Sequence, residues 1–268
     1  MDKTEKAMKK LLSEQGGGVL PLDGQGQALG DGLSITYDRT RVVPIPQAVL
    51  EENRVIAGMT QNAVADVYRA LRAKLSLRMP QSRGVNLAIC SANPGEGKTL
   101  TAVNLAVSLA MDVKNSVMLV DLDLRRPKIH EYIGFPPQQG LCDYLRRDVD
   151  LDKCLVNPGI DRLVVLTGGS PASDASELVS SPRMIALAAE LKSRYMDRIV
   201  IYDMPPLLIG DLCLAFLPNT DASLLVVCDH KTKKGEFEGA VGMLKPFNLI
   251  GVVMNNSDNF QRATGYTY

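Results

Sequence analysis

Hydrophobic positions follow two different spacings along most of this chain, and the two spacings alternate. Short, continuous apolar runs typical of buried strands occupy 85–90, 117–120, 162–166, 198–202, 224–228 and 249–254. Apolar residues at the i, i+3, i+4, i+7 spacing of amphipathic helices occupy 64–75, 100–111, 184–191 and 237–244. This alternation predicts an α/β fold, a mostly parallel sheet with helices on both faces. Ligands of such sheets bind beyond the carboxyl ends of the strands.

The two ends of the chain differ in composition from this middle part. Repeated glycines, followed by Pro44 and Pro46, interrupt the first 55 residues. They predict a flexible segment with at most one short helix, from Lys3 to Leu12. The predicted organisation is a flexible amino-terminal arm over 1–55, a central domain over 56–254 and a flexible carboxyl-terminal tail over 255–268.

Composition and charge exclude several classes of protein. The 268 residues are 46% hydrophobic and 22% charged, with 30 basic and 30 acidic side chains. A formal charge of zero argues against a dedicated nucleic-acid-binding protein, which normally carries a basic excess. No window approaches the 18 or so consecutive apolar residues of a membrane span, and the basic start lacks the apolar core of a secretory signal. Five cysteines without metal-binding spacing indicate reduced, buried thiols in a cytoplasm: Cys90, Cys142, Cys154, Cys213 and Cys228.

The turn after the first of these strands reads Ser-Ala-Asn-Pro-Gly-Glu-Gly-Lys-Thr over 91–99. A glycine loop that joins a strand to a helix through Gly-Lys-Thr is typical of a phosphate-binding P-loop. Gly95 and Gly97 let backbone N–H groups turn towards phosphate oxygens, and the helix start adds its positive dipole end. Lys98 is expected to neutralise the β- and γ-phosphates of ATP, and Thr99 to ligate Mg²⁺. The predicted nucleotide-binding residues of this loop are Pro94, Gly95, Glu96, Gly97, Lys98, Thr99 and Leu100.

Two carboxylates and an arginine follow the second strand. Asp121, Asp123 and Arg125 alternate in sequence, so a continued extended backbone would place them on one face. Beside a P-loop, two carboxylates can hold Mg²⁺ and its waters, and one can accept a proton from an attacking hydroxyl. We therefore predict catalytic roles for these three residues together with Lys98, and metal binding by Asp121.

A further acidic residue closes the apolar run at 198–202. Asp203 stands at the Walker B position, where a carboxylate acts on Mg²⁺ through water, so we predict a catalytic and metal-binding role for it. Pro205 and Pro206 then end the strand and begin a loop at the same edge of the sheet. Asp211, later in this loop, is an additional metal-site candidate.

These motifs, in this order and spacing, resemble those of the bacterial tyrosine autokinases of capsule and exopolysaccharide assembly. The likeness covers roughly residues 35–268. Besides the three motifs above, it rests on Gly140-Leu141, Asp143-Tyr144-Leu145, Glu177-Leu178 before Ser181-Pro182, and Gly251 to Asn255. The resemblance implies a P-loop fold like that of the partition ATPases, with Asp121 as a metal ligand and base.

The resemblance also implies roles outside the phosphate loop. The family carries a Glu-x-x-Arg-x-x-Arg helix used in self-assembly, and its counterpart here has aspartate first: Asp66, Arg69 and Arg72. Tyr266 and Tyr268 correspond to the family's tail tyrosines, which neighbouring subunits phosphorylate. Asn255 matches a position near the nucleotide base, and Arg125 is expected to stabilise developing charge or bind a phosphotyrosine product.

The function implied by the resemblance is an MgATP-dependent tyrosine autokinase. It would form a ring-like homo-oligomer, phosphorylate its own tail tyrosines in trans and regulate polysaccharide polymerisation and export. Since no membrane span is predicted in this chain, its partner would be the cytoplasmic part of a membrane polysaccharide co-polymerase. The chain would then lie at the inner face of the cell membrane through that partner.

Three other interpretations use the same P-loop. A partition or division-site ATPase normally carries an intersubunit lysine in the stretch occupied here by Asn93 and Pro94. An electron-transfer relative with a bridging iron–sulfur cluster needs exposed cysteines, whereas Cys90 and Cys228 lie in apolar runs. A non-catalytic ATP-binding adaptor of a membrane partner would show the same motifs but would not need the tail tyrosines.

Overall fold

The computed structural model describes residues 40–257, except 81, 83, 137, 147, 148, 195 and 196. Within these ranges the chain forms one eight-stranded sheet. Its strands are β1 (Arg41–Val42), β2 (Val85–Ser91), β3 (Ser116–Asp121), β4 (Leu155–Asn157), β5 (Leu163–Leu166), β6 (Arg198–Asp203), β7 (Ala222–Cys228) and β8 (Leu249–Asn255). Their order across the sheet is β1-β4-β5-β3-β6-β2-β7-β8.

Helices connect the strands and cover the sheet. They are α1 (Gln47–Glu52), α2 (Ala63–Ser76), α3 (Lys98–Ala110), α4 (Ile129–Ile133), α5 (Leu141–Leu145), α6 (Leu151–Cys154), α7 (Ala175–Val179), α8 (Pro182–Ser193), α9 (Leu212–Phe216) and α10 (Lys234–Leu244). Short 3₁₀ turns span Leu217–Asn219 and Lys245–Phe247. None of the helices in the described part of the chain has the length and apolar character needed to cross a bilayer.

The predicted mostly parallel sheet, covered on both faces, is confirmed. β2, β3 and β6 are buried along their whole length, as continuous apolar runs predict. Two separate apolar clusters lie on the two faces of the sheet. One contains Tyr202 and Phe216, whose rings lie 4.8 Å apart, and the other contains Leu105 and Leu109 of α3. The helices on each face are therefore held by burial of apolar surface.

The sequence-based boundary at residue 55 differs from the structure. β1 pairs with β4, and the N–H groups of Val43 and Ile45 donate to carbonyls of Asn157 and Pro158, at 2.8 and 3.0 Å. Pro46 precedes the first turn of α1, where a fixed φ and a missing N–H cost nothing. The folded part therefore begins before residue 55, and the prolines that predicted a flexible arm instead mark the start of a helix. Residues 1–39, with the predicted helix from Lys3 to Leu12, lie outside the described residues.

The short strand β4 is the antiparallel exception in an otherwise parallel set of described strand pairs. It runs antiparallel to β5, with Leu155 opposite Leu166 and Val156 opposite Val165. Three residues are too few to show a periodicity in the sequence, so this strand had no signal of its own. All five cysteine thiols are free; four are buried, and Cys228 is half-buried at the end of β7.

A buried asparagine fastens the segment before α2 to the central helix α3. Asn104 Oδ1 accepts from the N–H groups of Ile56 and Ala57, at 2.9 and 3.0 Å. Its Nδ2 donates to the carbonyl oxygens of Arg54 and Leu100, at 3.0 and 3.1 Å. The side chain is fully buried, so each of these groups would lose its partner without gaining water.

We predict that Asn104→Ala lowers the free energy of unfolding by about 3 kcal/mol, because it leaves buried backbone groups unpaired. Urea unfolding measures the change. Asn115→Ala is the matched control, since the Asn115 side chain makes no hydrogen bond to other described residues. An equal, small effect for both variants would show that Asn104 does not fasten the segment.

Candidate functional site

Three neighbouring strands end at the same edge of the sheet and carry the predicted site residues. β6 lies between β3 and β2, so the ends of all three strands are adjacent. Asp203 is paired in register with Asp121 on one side and with Ile89 on the other. The strand order therefore brings the P-loop, which follows β2, beside the two aspartates, as expected for ligand binding at the carboxyl edge.

The phosphate loop has the backbone geometry that its glycines predict. Gly95 and Gly97 have φ values of 72° and 91°, in the left-handed region that glycine tolerates best. A methyl group on Gly97 would lie 1.8 Å from Asn255 Nδ2, so this position has no room for a side chain. Asn255 Nδ2 donates to the Glu96 carbonyl at 3.0 Å. Asn255, predicted to lie near the nucleotide base, thus contacts the loop backbone directly.

Lys98 and Thr99 converge on one carboxylate. Lys98 Nζ lies 2.6 Å from Asp203 Oδ1, and Thr99 Oγ1 donates to Asp203 Oδ2 at 2.7 Å. Burial alone lowers the pKa of Lys98, but the carboxylates around it outweigh this effect, Asp203 most strongly, and raise the pKa overall. The lysine is therefore held as a cation at the start of α3.

Asp121 is enclosed by backbone donors. Its Oδ2 accepts from the N–H groups of Lys128 and Ile129 at 2.8 and 3.0 Å, and its Oδ1 accepts from Asp123 at 3.2 Å. The residue is fully buried. Burial, followed by the charge of Asp203, raises the pKa of Asp121 to about 8 despite these hydrogen bonds. Without an added cation, this carboxyl group holds its proton near neutral pH.

Asp123 and Arg125 lie in a loop, because β3 ends at Asp121 and the extended backbone stops there. Asp123 is half-buried, and burial, with a contribution from Asp203, raises its pKa. Arg125 is exposed and donates to Ser176 Oγ at 3.0 Å, while Ser176 Oγ donates to Asp211 Oδ1 at 3.2 Å. The predicted alternation on one face is therefore wrong for Arg125, and Asp211 contacts Ser176 at the rim of the site.

The loop after β7 contains site residues that the sequence analysis missed. Lys231 Nζ donates to the carbonyls of Pro94 and Gly95, at 3.0 and 2.9 Å. Thr232 Oγ1 donates to Glu96 Oε1 at 2.7 Å, and the Glu96 carboxylate also accepts from the Asn93 N–H at 3.0 Å. Glu96 is 1% exposed, so it shapes the loop from inside. One sequence signal could have shown these residues. The polar run over 229–232 directly follows an apolar strand, which lies next to β2 in the sheet.

The predicted self-assembly residues lie on α2. Asp66 forms a 2.5 Å ion pair with Arg69, which also donates to the carbonyl of Met59 at 2.9 Å. Arg72 donates to the carbonyl of Ser108 on α3 at 2.5 Å. Both guanidinium groups thus make contacts within the chain. Tyr266 and Tyr268 lie outside the described residues.

The oxygen atoms at this edge fit magnesium. Mg²⁺ is usually held by one or two carboxylates, with hydroxyl, water and phosphate oxygens completing the shell. Thr99, Asp121 and Asp203 supply such oxygens, and the two aspartates lie side by side in register. The described ranges contain no cluster of three or more His, Cys, Asp or Glu side chains placed to hold a metal. These residues would therefore hold part of a magnesium shell, and water or phosphate oxygens would supply the rest.

Similarity to known proteins points to bacterial kinases. The chain is 32% identical over 210 residues to the tyrosine-protein kinase YwqD of Bacillus subtilis, covering 77% of this chain and 86% of YwqD. It is also 32% identical over 204 residues to the putative tyrosine-protein kinase EpsB of Ralstonia nicotianae. That match covers 74% of this chain but 26% of EpsB, so the chain spans about a quarter of that relative. No family model matches the chain.

Solved structures give the same picture of the fold. The kinase domain of VpsO superposes with a TM-score of 0.65 and 31% identity, over 78% of this chain and 98% of that domain. The cell division ATPase MinD of Pyrococcus furiosus superposes with a TM-score of 0.54 and 23% identity, over 69% of this chain and 81% of MinD. The predicted P-loop fold related to the partition ATPases is thereby confirmed.

We predict that, in the absence of Mg²⁺ and nucleotide, the free energy of unfolding falls as pH rises from about 4 to about 8. A carboxyl group whose pKa is about 8 in the folded state and 3.8 ordinarily keeps in the folded chain a proton that the unfolded chain has released. Stability from this proton is complete below pH 4 and is lost as pH rises through 8.

Urea unfolding in EDTA between pH 5 and pH 8 tests this prediction. Asp121→Asn should flatten the pH dependence relative to the unsubstituted chain. Asp161→Asn, at an exposed position on the other edge of the sheet, is the matched control and should leave the slope unchanged. Equal slopes for the chain and Asp121→Asn would contradict the assigned pKa shift.

Proposed function

The chain belongs to the bacterial tyrosine-protein kinases, and from this membership we propose that it transfers the γ-phosphoryl group of MgATP to tyrosine hydroxyls. Tyr266 and Tyr268 of another copy are the proposed acceptors. The observation that carries the proposal is the convergence of Lys98 and Thr99 on Asp203, with Asp121 in register beside it. A cation, a hydroxyl and two carboxylates at the start of a P-loop helix are the groups that phosphoryl transfer requires.

The phosphate loop binds the nucleotide through its backbone and Lys98. N–H groups at the start of α3 face the phosphates, and the helix dipole favours their negative charge. Lys98 leaves part of its contact with Asp203 to neutralise the β- and γ-phosphates. Thr99, Asp121 and Asp203 would hold Mg²⁺, which when bound supplies charge neutralisation between the phosphate oxygens.

The tyrosine proton requires an acceptor, because a free phenol has a pKa of about 10. Asp121, which the sequence favours for this step, is fully buried and accepts two backbone hydrogen bonds at Oδ2 and one at Oδ1. The one lone pair left on Oδ1 suits a small metal ion better than a bulky phenol. Asp123 is half-buried and lies near the positive charges of Lys98 and Arg126. Its raised pKa improves it as a base. We therefore assign proton acceptance to Asp123, and magnesium binding and orientation of the loop to Asp121.

Arg125 serves the acceptor side of the reaction. Its guanidinium group lies at the mouth of the site, held between Ser176 and the loop that carries Gly210. From there it stabilises charge that develops on the transferred group, or binds the phosphotyrosine product. Ser176 is thus a positioning residue that acts through Arg125.

The proposed biological role follows from the family. Copies of the chain would meet in a ring-like oligomer through the α2 helix, where Asp66, Arg69 and Arg72 lie, and would phosphorylate one another's tails. The partner would be the cytoplasmic part of a membrane polysaccharide co-polymerase, which would keep the kinase at the inner membrane face. Tail phosphorylation would regulate capsule or exopolysaccharide polymerisation and export.

Incubation of the full chain with MgATP, followed by mass spectrometry of the tail, tests the proposed activity. We expect phosphate on Tyr266 or Tyr268, and none in Lys98→Met, which removes the cation that neutralises the phosphates. A mixture of Lys98→Met with a chain carrying Tyr266→Phe and Tyr268→Phe should label the Lys98→Met tail if transfer occurs in trans.

Other outcomes would support the competing functions. Steady ATP hydrolysis without phosphotyrosine, with a co-polymerase cytoplasmic segment added, would favour a partition-type ATPase. Nucleotide binding without hydrolysis or transfer under the same conditions would favour a non-catalytic adaptor. Either result would overturn the kinase assignment.

We predict that Ser176→Ala raises the KM for a tail peptide about fivefold, because Arg125 loses the hydrogen bond that positions it. The KM for ATP should be unchanged, since the hydrogen bonds of the Ser176 hydroxyl go to Arg125 and Asp211, outside the phosphate loop. Steady-state kinetics measure both constants. Ser176→Thr, which keeps the hydroxyl, should restore the value, and Ser180→Ala is the matched control; an equal rise in both KM values would contradict the assignment.

A further inference from the structure

A cavity of about 500 Å³ lies beyond the carboxyl ends of β3 and β5, beside the phosphate loop but separate from it. The chain segments after these two strands form its walls. They contribute Pro127, Glu131, Gln138, Asp143, Thr167 and Pro171. The cavity is large enough for an extended stretch of peptide with one long side chain.

Two polar groups in the walls have no hydrogen-bond partner among the residues that the structure describes. Thr167 is 1% exposed, and its Oγ1 makes no hydrogen bond to the described residues. Gln138 Nε2 is buried and equally unpaired, although the Oε1 atom of the same side chain accepts from Arg41. Buried polar groups normally have a partner, so these two atoms indicate that the cavity binds a polar ligand.

The charge of the cavity identifies the class of ligand. Glu131 and Asp143 both line it, and neither forms an ion pair within the described ranges. One oxygen of Asp143 accepts from the Gly140 N–H at 2.7 Å, and the nearby Arg146 pairs with Asp174. His130 also lines the cavity, and the Arg41 guanidinium group contacts Gln138 at its wall, but neither forms an ion pair with the two carboxylates among the described residues. Two such carboxylates beside unpaired hydroxyl and amide groups fit a guanidinium group on a peptide backbone.

The cavity is joined to the candidate site by one turn of chain. The N–H groups of Lys128 and Ile129 hold Asp121, and the same turn continues into Glu131 at the cavity wall. Pro127, four residues after Asp123, forms another part of that wall. A peptide whose tyrosine lies at Asp123 would therefore have its neighbouring residues close to the cavity.

We propose that this cavity binds the side chain of Arg262 from the tail of a second copy. The inference rests on the proposed kinase function. Arg262 is the one basic residue over 256–268, four residues before Tyr266. Four extended residues span at most about 14 Å, which sets the reach from Tyr266 to Arg262. Glu131 and Asp143 hold the guanidinium group, and Gln138 and Thr167 bind neighbouring peptide carbonyls.

The test uses the full chain as enzyme, with Tyr266→Phe, Tyr268→Phe and Arg262→Ala so that its own tail neither accepts phosphate nor competes. Its substrates are synthetic peptides of residues 255–268, unchanged or with Arg262→Ala, Arg262→Lys or Arg262→Glu. Phosphate transfer gives kcat and KM, and fluorescence anisotropy of labelled peptides with MgADP gives affinity without catalysis. Glu131→Gln and Glu131→Arg enzymes are compared with the control Glu190→Gln, an exposed glutamate towards the opposite edge of the sheet.

We expect Arg262→Ala to raise KM and Kd about tenfold, with kcat changed less than about twofold. The Lys peptide should bind with intermediate affinity. Glu131→Gln should reduce the difference between the two peptides, whereas Glu190→Gln should preserve it. Glu131→Arg should prefer the Arg262→Glu peptide.

Equal KM and Kd for the unchanged and Arg262→Ala peptides would overturn the proposal while leaving the kinase function intact. An equal effect of Glu131→Gln on both peptides would also overturn the proposal, because the charges of Glu131 and Arg262 would then not interact. Absence of transfer to every peptide would contradict the proposed function. The anisotropy series would still decide whether Arg262 binds at Glu131.

Discussion

The contact between Lys98 and Asp203 is the constraint on which the rest of the site depends. The two groups lie 2.6 Å apart with almost no exposure, so each supplies the opposite charge that a buried ion needs. Removing one member of such a pair typically costs about 3–5 kcal/mol, because the other charge is left buried and alone. These contacts therefore fix the phosphate loop to β6, and in the proposed function the phosphates of ATP would compete with Asp203 for the ammonium group of Lys98.

Strand order converts this single contact into a site. Because β6 lies between β2 and β3, Asp203 meets the P-loop on one side and Asp121 on the other. The loop after β7 then closes the outside of the P-loop through Lys231 and Thr232. Residues from four separate parts of the sequence are thus held at one edge by backbone pairing and loop hydrogen bonds.

The parts that could be predicted from the sequence are those with a local signal. The strand–loop–helix around Lys98 and the acidic ends of two strands are encoded by short motifs. Each motif was enough to predict that its residues lie at the carboxyl edge of the sheet. β1 and β4 were missed because two or three residues carry no periodicity, and Arg125 was misplaced because the end of β3 is set by tertiary contacts. Lys231, Thr232 and Ser176 act through partners more than 50 residues away, as the separations of 136, 136 and 51 residues show.

The two sides of the site are built differently, and this difference has a chemical reason. The phosphate side is preorganised: Lys98, Thr99 and Asp121 already have hydrogen-bond partners before any ligand binds. Such preorganisation suits a nucleotide, which has the same shape at every turnover. The acceptor side is open, with a half-buried Asp123, an exposed Arg125 and unpaired wall groups at Thr167 and Gln138. A protein acceptor brings its own backbone and charges, so these groups can only be satisfied when it arrives. In the proposed function, selection among tyrosines therefore belongs to this side of the site, beyond β3 and β5, and nucleotide binding belongs to the side beyond β2 and β6.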